Sequence, residues 1–95
     1  MRGNGATTRQ IENAPHGAVF VWCNGDLSYP KHIAHKLGRG DLEIVSPLWL
    51  ESPQRWAGRI LKGVVIDHAC LMTDKQFKGY AEIKIRATRY GFSVE

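Results

Sequence analysis

The sequence has few cysteines and no long apolar run, and each absence narrows the class of protein. Its two cysteines, Cys23 and Cys70, follow apolar segments without forming a spaced framework, which indicates reduced thiols. No segment approaches the roughly 18 consecutive apolar residues of a membrane-spanning helix, and "MRGNGATTRQ" lacks the apolar core of a secretory signal. These absences predict a cytoplasmic protein without membrane contact.

Length and charge indicate one small basic domain. The chain has 95 residues, 43% of them hydrophobic, which suits a single modest core. The glycine-rich stretch 1–6 predicts a flexible N-terminal arm, and residues 7–95 are expected to form a single α/β domain. A formal net charge of +4 favours contact with nucleic acid or acidic proteins, although a basic surface also serves solubility.

Three short apolar runs predict the strands of a sheet. They are "GAVFVWC" at 17–23, "LEIVSP" at 42–47 and "ILKGVVID" at 60–67. Between them, a threonine pair and Pro15 predict a short helix at about 8–14, and Ser28 and Gly38 bracket a second helix. This order predicts a small two- or three-layer α/β domain with about three parallel strands, two to three helices and right-handed crossovers.

The C-terminal region allows two interpretations. Thr73 and Gln76 form a capping-box pattern that predicts a helix through "DKQFKGYAEIKIRA". The segment "YAEIKIRATRYGF" also alternates in the manner of a fourth strand, and Gly79 weakens a helix. We expect the helix because its start is well marked.

The tryptophans Trp49 and Trp56 are expected to cover an edge of the sheet.

Polar side chains follow the predicted strands where each strand ends. Asp26 follows the first strand, and Asp67 and His68 follow the third. Because ligand crevices of open parallel sheets lie at the carboxyl ends of the strands, these three residues form a candidate strand-end site. If the first and third strands are neighbours, Cys23, Asp67, His68 and Cys70 are able to converge on a zinc ion. The spacing D-H-x-C is no strong ligand signature, so we predict neither a metal nor a cofactor.

The segment "GVVIDH" at 63–68 resembles the Walker B strand of P-loop ATPases. The resemblance implies that Asp67 holds magnesium. An ATPase is nevertheless excluded, because the sequence lacks the G-x-x-x-x-G-K-[ST] loop whose backbone and lysine hold the phosphates. What stays open is a degenerate nucleotide- or metal-binding hydrolase with its site at the strand ends.

Basic residues fall into two sets that are candidates for contact with nucleic acid or a protein partner. Phosphate contacts dominate nucleic-acid affinity, so either set suits such a partner. In the first set, four-residue spacing places Lys31, His35 and Arg39 on one helix face. The pattern is also that of a solvated outer face on a helix whose apolar side packs on the sheet. The scattered tyrosines Tyr29, Tyr80 and Tyr90 are able to stack on bases. The sets are Lys31, His35, Lys36 and Arg39, and Lys75, Lys78, Arg86 and Arg89.

Residues 19–51 carry a family resemblance. "VFVW", then Lys31, Ala34 and Leu37, then "IVSPLWLE" resemble the second half of a BRCT domain, whose members often bind phosphopeptides or DNA ends. The resemblance implies a phosphate contact for Lys31 and a core position for Trp49. The family's first strand and Gly-Gly turn have no counterpart before residue 19.

The whole chain also resembles small phage or mobile-element proteins, which often bind and redirect a host factor. The sequence therefore predicts a non-catalytic binding module that contacts nucleic acid or a nucleic-acid-handling host protein. The alternative is the degenerate hydrolase. A single chain leaves the oligomeric state open.

Overall fold

The computed structural model describes residues 5–68 and 70–95, which form helices around a parallel sheet. The strands are β1 (Val19–Val21), β2 (Glu43–Val45) and β3 (Val64–Ile66). The helices are α1 (Ala6–Asn13), α2 (Ser28–Lys36), α3 (Pro53–Trp56) and α4 (Asp74–Tyr90), with a 3₁₀ turn at Pro47–Trp49. The predicted α/β class with three parallel strands is confirmed. Within the described ranges, no helix combines the length and apolar character needed to cross a membrane.

The sheet is built around β1. The strand order is β2-β1-β3, and both neighbours run parallel to β1. Val19 lies opposite Glu43 on one side and Val64 on the other, so the three strands start at the same level. Parallel neighbours need crossover connections, which the segments containing α2 and α3 supply. The carboxyl ends of all three strands therefore lie at one edge of the sheet.

Side chains of β1 alternate between two apolar clusters, because successive residues of a strand face opposite sides. Val19 and Val21 join one cluster with Trp49, Trp56 and residues of α4. Phe20 joins the other with residues of α1 and α2. The domain therefore has three layers. Trp49 and Trp56 lie inside the first cluster rather than at the sheet edge, which corrects the expected position of both tryptophans.

The C-terminal region is helical, as predicted. The side chain of Thr73 accepts from the Gln76 N–H and the side chain of Gln76 accepts from the Thr73 N–H, so the capping box is complete. The alternative of a fourth strand at 80–90 is wrong, since α4 continues to Tyr90. After α4 the chain returns to the sheet, where Val94 makes an isolated parallel bridge with Val64.

The starts of the first two helices differ from the sequence prediction. Helix α1 begins at Ala6, so the threonine pair lies inside its first turn and does not cap it. Ser28 is the first residue of α2, and its N–H donates to the carboxylate of Asp26 over 2.9 Å. Helix α2 ends at Lys36, and Gly38 follows with a φ of +70°, which confirms the predicted stop. The predicted arm at 1–6 lies mostly outside the described residues.

Gly79 is the point at which α4 comes closest to the segment before α3. A Cβ at this position would overlap the carbonyl oxygen of Leu50, and Leu50 is fully buried in the first cluster. The Leu50 oxygen belongs to the main chain, and the position of a Cβ is fixed by its own backbone, so no side-chain rotation can relieve the contact. The glycine that weakens the helix in sequence is what lets the helix dock.

We expect Gly79→Ala to destabilise the domain by about 2 kcal/mol or more, the cost of forcing atoms into a packed contact. Helix propensity alone predicts the opposite sign, a gain of about 1 kcal/mol. Urea unfolding followed by circular dichroism measures the difference. Glu82→Ala, at an exposed position of the same helix, is the control and should change stability by less than about 0.5 kcal/mol. A stabilised Gly79→Ala variant would contradict the close approach.

Candidate functional site

Asp67 of the predicted strand-end site is a buried carboxylate. It directly follows β3, and its side chain is 1% exposed. Its Oδ1 accepts from the hydroxyl of Thr7 over 3.0 Å, and its main-chain N–H donates to the carbonyl of Val21. A buried carboxylate needs such donors, because an unpaired charge away from water is costly. The structure therefore uses Asp67 to join α1 to the ends of β1 and β3.

His68 lies beside Asp67 and also contacts α1. The ring Nδ1 of His68 is 3.4 Å from Asp67 Oδ1 and 3.3 Å from Oε1 of Gln10. The main-chain N–H of His68 donates to the same Gln10 oxygen. Gln10 in turn donates from Nε2 to the carbonyl of Ile66. Because the Thr7 hydroxyl donates to the carboxylate itself, Thr7 is not paired with the imidazole as a nucleophile would be with its base. The geometry favours a structural cluster.

Asp26, the third residue of the predicted site, performs a separate task. Its Oδ1 accepts from the N–H of Ser28 at the first turn of α2. This hydrogen bond to the backbone holds the pKa of the Asp26 carboxyl below its usual value. An aspartate at a helix N-terminus is stabilising in its charged form, so Asp26 contributes to the start of α2.

The two cysteines form a disulfide, which corrects the expectation of reduced thiols. Cys23 follows β1 and Cys70 follows β3, and their Cα atoms are 5.2 Å apart. Parallel neighbouring strands bring these positions together at one sheet edge. Disulfides persist in oxidising environments, so the predicted cytoplasmic location loses the support that it drew from free thiols. Within residues 5–68 and 70–95, no cluster of three or more side chains is suited to bind a metal ion.

Arg39 of the first basic set is directed into the molecule. It follows the end of α2, so the helix face predicted for Lys31, His35 and Arg39 does not include it, although all three border one depression of about 220 Å³. Its Nη1 donates to the carbonyls of Ile11 and Glu12, and its Nη2 to those of Ala14 and Pro15. These carbonyls lie at the end of α1, where a cation is favoured.

The same guanidinium forms a two-point ion pair with Asp41. Nε and Nη2 of Arg39 donate to the two carboxylate oxygens over 3.1 and 3.0 Å. Asp41 also accepts from the N–H of Gly17 over 2.8 Å, and the ring of His16 lies 3.4 Å away. The Arg39 guanidinium, followed by the Gly17 hydrogen bond, holds the pKa of Asp41 well below its usual value. Arg39 and Asp41 therefore connect α1, α2 and the loop before β1.

The second basic set lies on α4 and divides between two depressions. Lys75 and Lys78 border a depression of about 290 Å³ that also contains the acidic side chains of Glu51 and Glu82. Arg86 belongs to another depression, of about 330 Å³, which we call the arginine depression; it is lined by Gly58, Arg59, Ile60, Arg86 and Tyr90. A smaller neighbouring depression of about 150 Å³ shares Arg86 and Tyr90 and adds Arg89.

Local contacts hold the guanidinium groups of the arginine depression in place. The guanidinium of Arg86 lies over the ring of buried Trp56, 5.4 Å from its centroid. Nη2 of Arg59 donates to the Glu43 carboxylate over 2.9 Å, and its Nη1 donates to the carbonyl of Arg55. Tyr90 is four residues after Arg86 and so lies on the same side of α4. The wall thus combines two positioned cations with an aromatic ring.

Sequence reasoning does not identify three residues that line this depression, Gly58, Arg59 and Ile60. Arg59 and Ile60 lie in the segment between α3 and β3, far along the chain from Arg86. No local pattern connects them to α4, because the contact arises only when both segments pack around Trp56. The spacing of Arg86 and Tyr90 by four residues was the one readable signal.

The first basic set differs from the second in how its cations are exposed. Lys31, His35 and Lys36 lie exposed on α2, whereas Arg39 is engaged by Asp41 and four carbonyls.

No protein-family model, curated protein or solved structure matches this chain. The BRCT and phage resemblances therefore stay predictions, and the assignment of a function depends on the geometry alone.

Asp41 should contribute to stability in a pH-dependent manner. A carboxyl whose pKa is lower in the folded chain stabilises the fold above its unfolded pKa of about 3.9, and that stabilisation is lost as the pH falls. We expect the free energy of unfolding of the wild type to fall from about pH 5 to about pH 2, and to fall less in Asp41→Asn. Urea unfolding across this range measures both slopes, with Glu12→Gln as a control for loss of one exposed acid. If the free energy of unfolding fell equally with pH in the wild type and in Asp41→Asn, the ion pair of Arg39 and Asp41 would not contribute to stability.

Reduction of the disulfide should destabilise the domain. The bridge closes a loop with a sequence separation of 47 residues, for which chain entropy predicts a contribution of about 4 kcal/mol. Urea midpoints measured with and without a phosphine reductant report the loss. The double variant Cys23→Ser/Cys70→Ser should resemble the reduced wild type and be insensitive to the reductant. Identical midpoints for oxidised and reduced wild type would exclude a stabilising bridge.

Proposed function

We propose that this protein is a non-catalytic module that binds nucleic acid through the arginine depression and the neighbouring surface of α4. The observation that carries the proposal is that Arg59, Arg86 and Arg89 line two neighbouring depressions, both of which also include Tyr90. Guanidinium groups pair with phosphate through two parallel hydrogen bonds, and aromatic rings stack on bases. The combination matches the two chemical parts of a nucleotide.

Charge supports this surface over the other candidates. The chain has a formal net charge of +4. The two depressions that share Arg86 are lined by three arginines and one acid, Glu82, and a second acid, Glu43, pairs with Arg59. The depression beside Lys75 and Lys78 contains two acids, which weaken attraction for phosphate. On α2, Arg39 is occupied by Asp41 and by main-chain carbonyls. Of the three candidate surfaces, the arginine depression and the neighbouring surface of α4 are therefore the best suited to bind an anion.

The alternative of a degenerate hydrolase has less geometric support. Such an enzyme would act through Asp67 and His68 at the strand ends. The Asp67 carboxylate is buried and accepts from Thr7, while Gln10 contacts both the ring and the N–H of His68. These contacts favour holding α1 on the sheet, and so the hydrolase is not carried forward as a second proposal.

Nucleic-acid binding should be salt-dependent and should depend on the arginines of α4. We expect a fluorescently labelled oligonucleotide of about 12 nucleotides to bind less tightly as salt rises from about 50 to 200 mM. Arg86→Gln/Arg89→Gln should weaken binding about tenfold and lower the salt slope by about one for each lost phosphate contact. Fluorescence anisotropy measures both quantities, and the thermal unfolding midpoint verifies folding.

The charge-matched control is Lys31→Gln/Lys36→Gln, which removes two exposed cations from α2 and should change affinity far less. A larger loss in this control than in the arginine variant would move the binding surface to α2. Polyglutamate is included as a competitor, because a host protein partner would be recognised through acidic side chains. No salt-dependent binding by the wild type, or displacement by polyglutamate as effective as by unlabelled oligonucleotide, would refute the proposal.

A further inference from the structure

The arginine depression contains apolar surface that phosphate contacts alone do not need. Tyr90 is 63% exposed and Ile60 is 92% exposed, and both line the depression. Large apolar side chains at a concave surface cost solvation free energy unless something covers them. A phosphate-only site would have no use for a ring and a branched aliphatic chain beside its cations.

The size of the depression limits the ligand. Its volume of about 330 Å³ lies near the lower end of the range of about 300 to 1,000 Å³ found for small-molecule pockets. One flat, nucleoside-sized group matches this volume. Gly58 also lines the depression, and the space beside its Cα is open.

The two cations are held by contacts within the protein, whereas Tyr90 is largely exposed. Arg86 lies over the Trp56 ring and Arg59 is bonded to Glu43, so both guanidinium groups are positioned before a ligand arrives. Positioned groups lose less conformational entropy on binding than free side chains do. Tyr90 presents its ring beside them, within the same depression. The arrangement suits a ring stacked on Tyr90 with an attached phosphate at the arginines.

We propose that the depression binds one unpaired nucleobase, stacked on Tyr90, with the adjoining phosphate bound by Arg59 and Arg86. This inference depends on the proposed nucleic-acid binding and makes single-stranded nucleic acid its ligand class. In a duplex the bases are paired and stacked on one another, so none is available to Tyr90 without being extruded. A duplex would meet only the cations of the surface.

The experiment compares a labelled single strand with its duplex in anisotropy titrations at one salt concentration. We expect the wild type to prefer the single strand by about tenfold, and Tyr90→Ala to weaken single-strand binding by about 5- to 150-fold, the range that one stacked base contributes. Duplex binding should be unchanged by Tyr90→Ala. Tyr90→Phe, which keeps the ring, should retain wild-type affinity. Because Tyr90 is largely exposed, these variants should fold, and thermal midpoints verify this.

The outcomes separate this inference from the proposed function. Salt-dependent binding of single strand and duplex with equal affinity, or equal loss of both in Tyr90→Ala, would overturn the stacked base and leave nucleic-acid binding intact. Absence of binding to either ligand would overturn both. Adenosine monophosphate is a further competitor: if it displaces the single strand at a concentration equal to that of the unlabelled oligonucleotide, the ligand is a free nucleotide and the single-strand inference fails.

Discussion

The position of β1 between two parallel neighbours is the constraint on which the rest of the structure depends. β1 forms main-chain hydrogen bonds with β2 and β3, and its residues are buried on both faces. A strand with no free edge and no free face requires helices on both sides of the sheet. The three layers, the shared carboxyl edge of the strands and the disulfide at that edge all follow from this placement.

Two contacts with main-chain carbonyls then position the helices that cover the sheet. Arg39 donates to carbonyls at the end of α1 and pairs with Asp41, so one side chain connects three segments on the side of α1 and α2. On the opposite side, Gly79 lets α4 approach the carbonyl of Leu50. That approach also brings Arg86 over Trp56 and so forms one wall of the arginine depression. The candidate site is therefore a consequence of packing around Trp56.

Local patterns predicted much of the fold. The apolar runs predicted the three strands. Thr73 and Gln76 predicted the start of α4, and Gly38 predicted the end of α2. Each of these signals depends only on neighbouring residues. Predictions about distant partners were less successful. The sequence groups Arg39 with surface cations, because it does not reveal the carbonyls that accept from this side chain. It also indicates reduced cysteines, although the strands that precede them are neighbours.

The sequence by itself determined the α/β class, the three parallel strands, the long C-terminal helix and the net positive charge of +4. Tertiary structure decided the roles of individual polar side chains. It placed Asp67 and Arg39 in internal hydrogen bonds and brought Arg59 beside Arg86 and Tyr90. The physical reason is range: capping, periodicity and turn preferences act within a few residues, whereas burial and hydrogen-bond partners depend on which distant segments the sheet brings together.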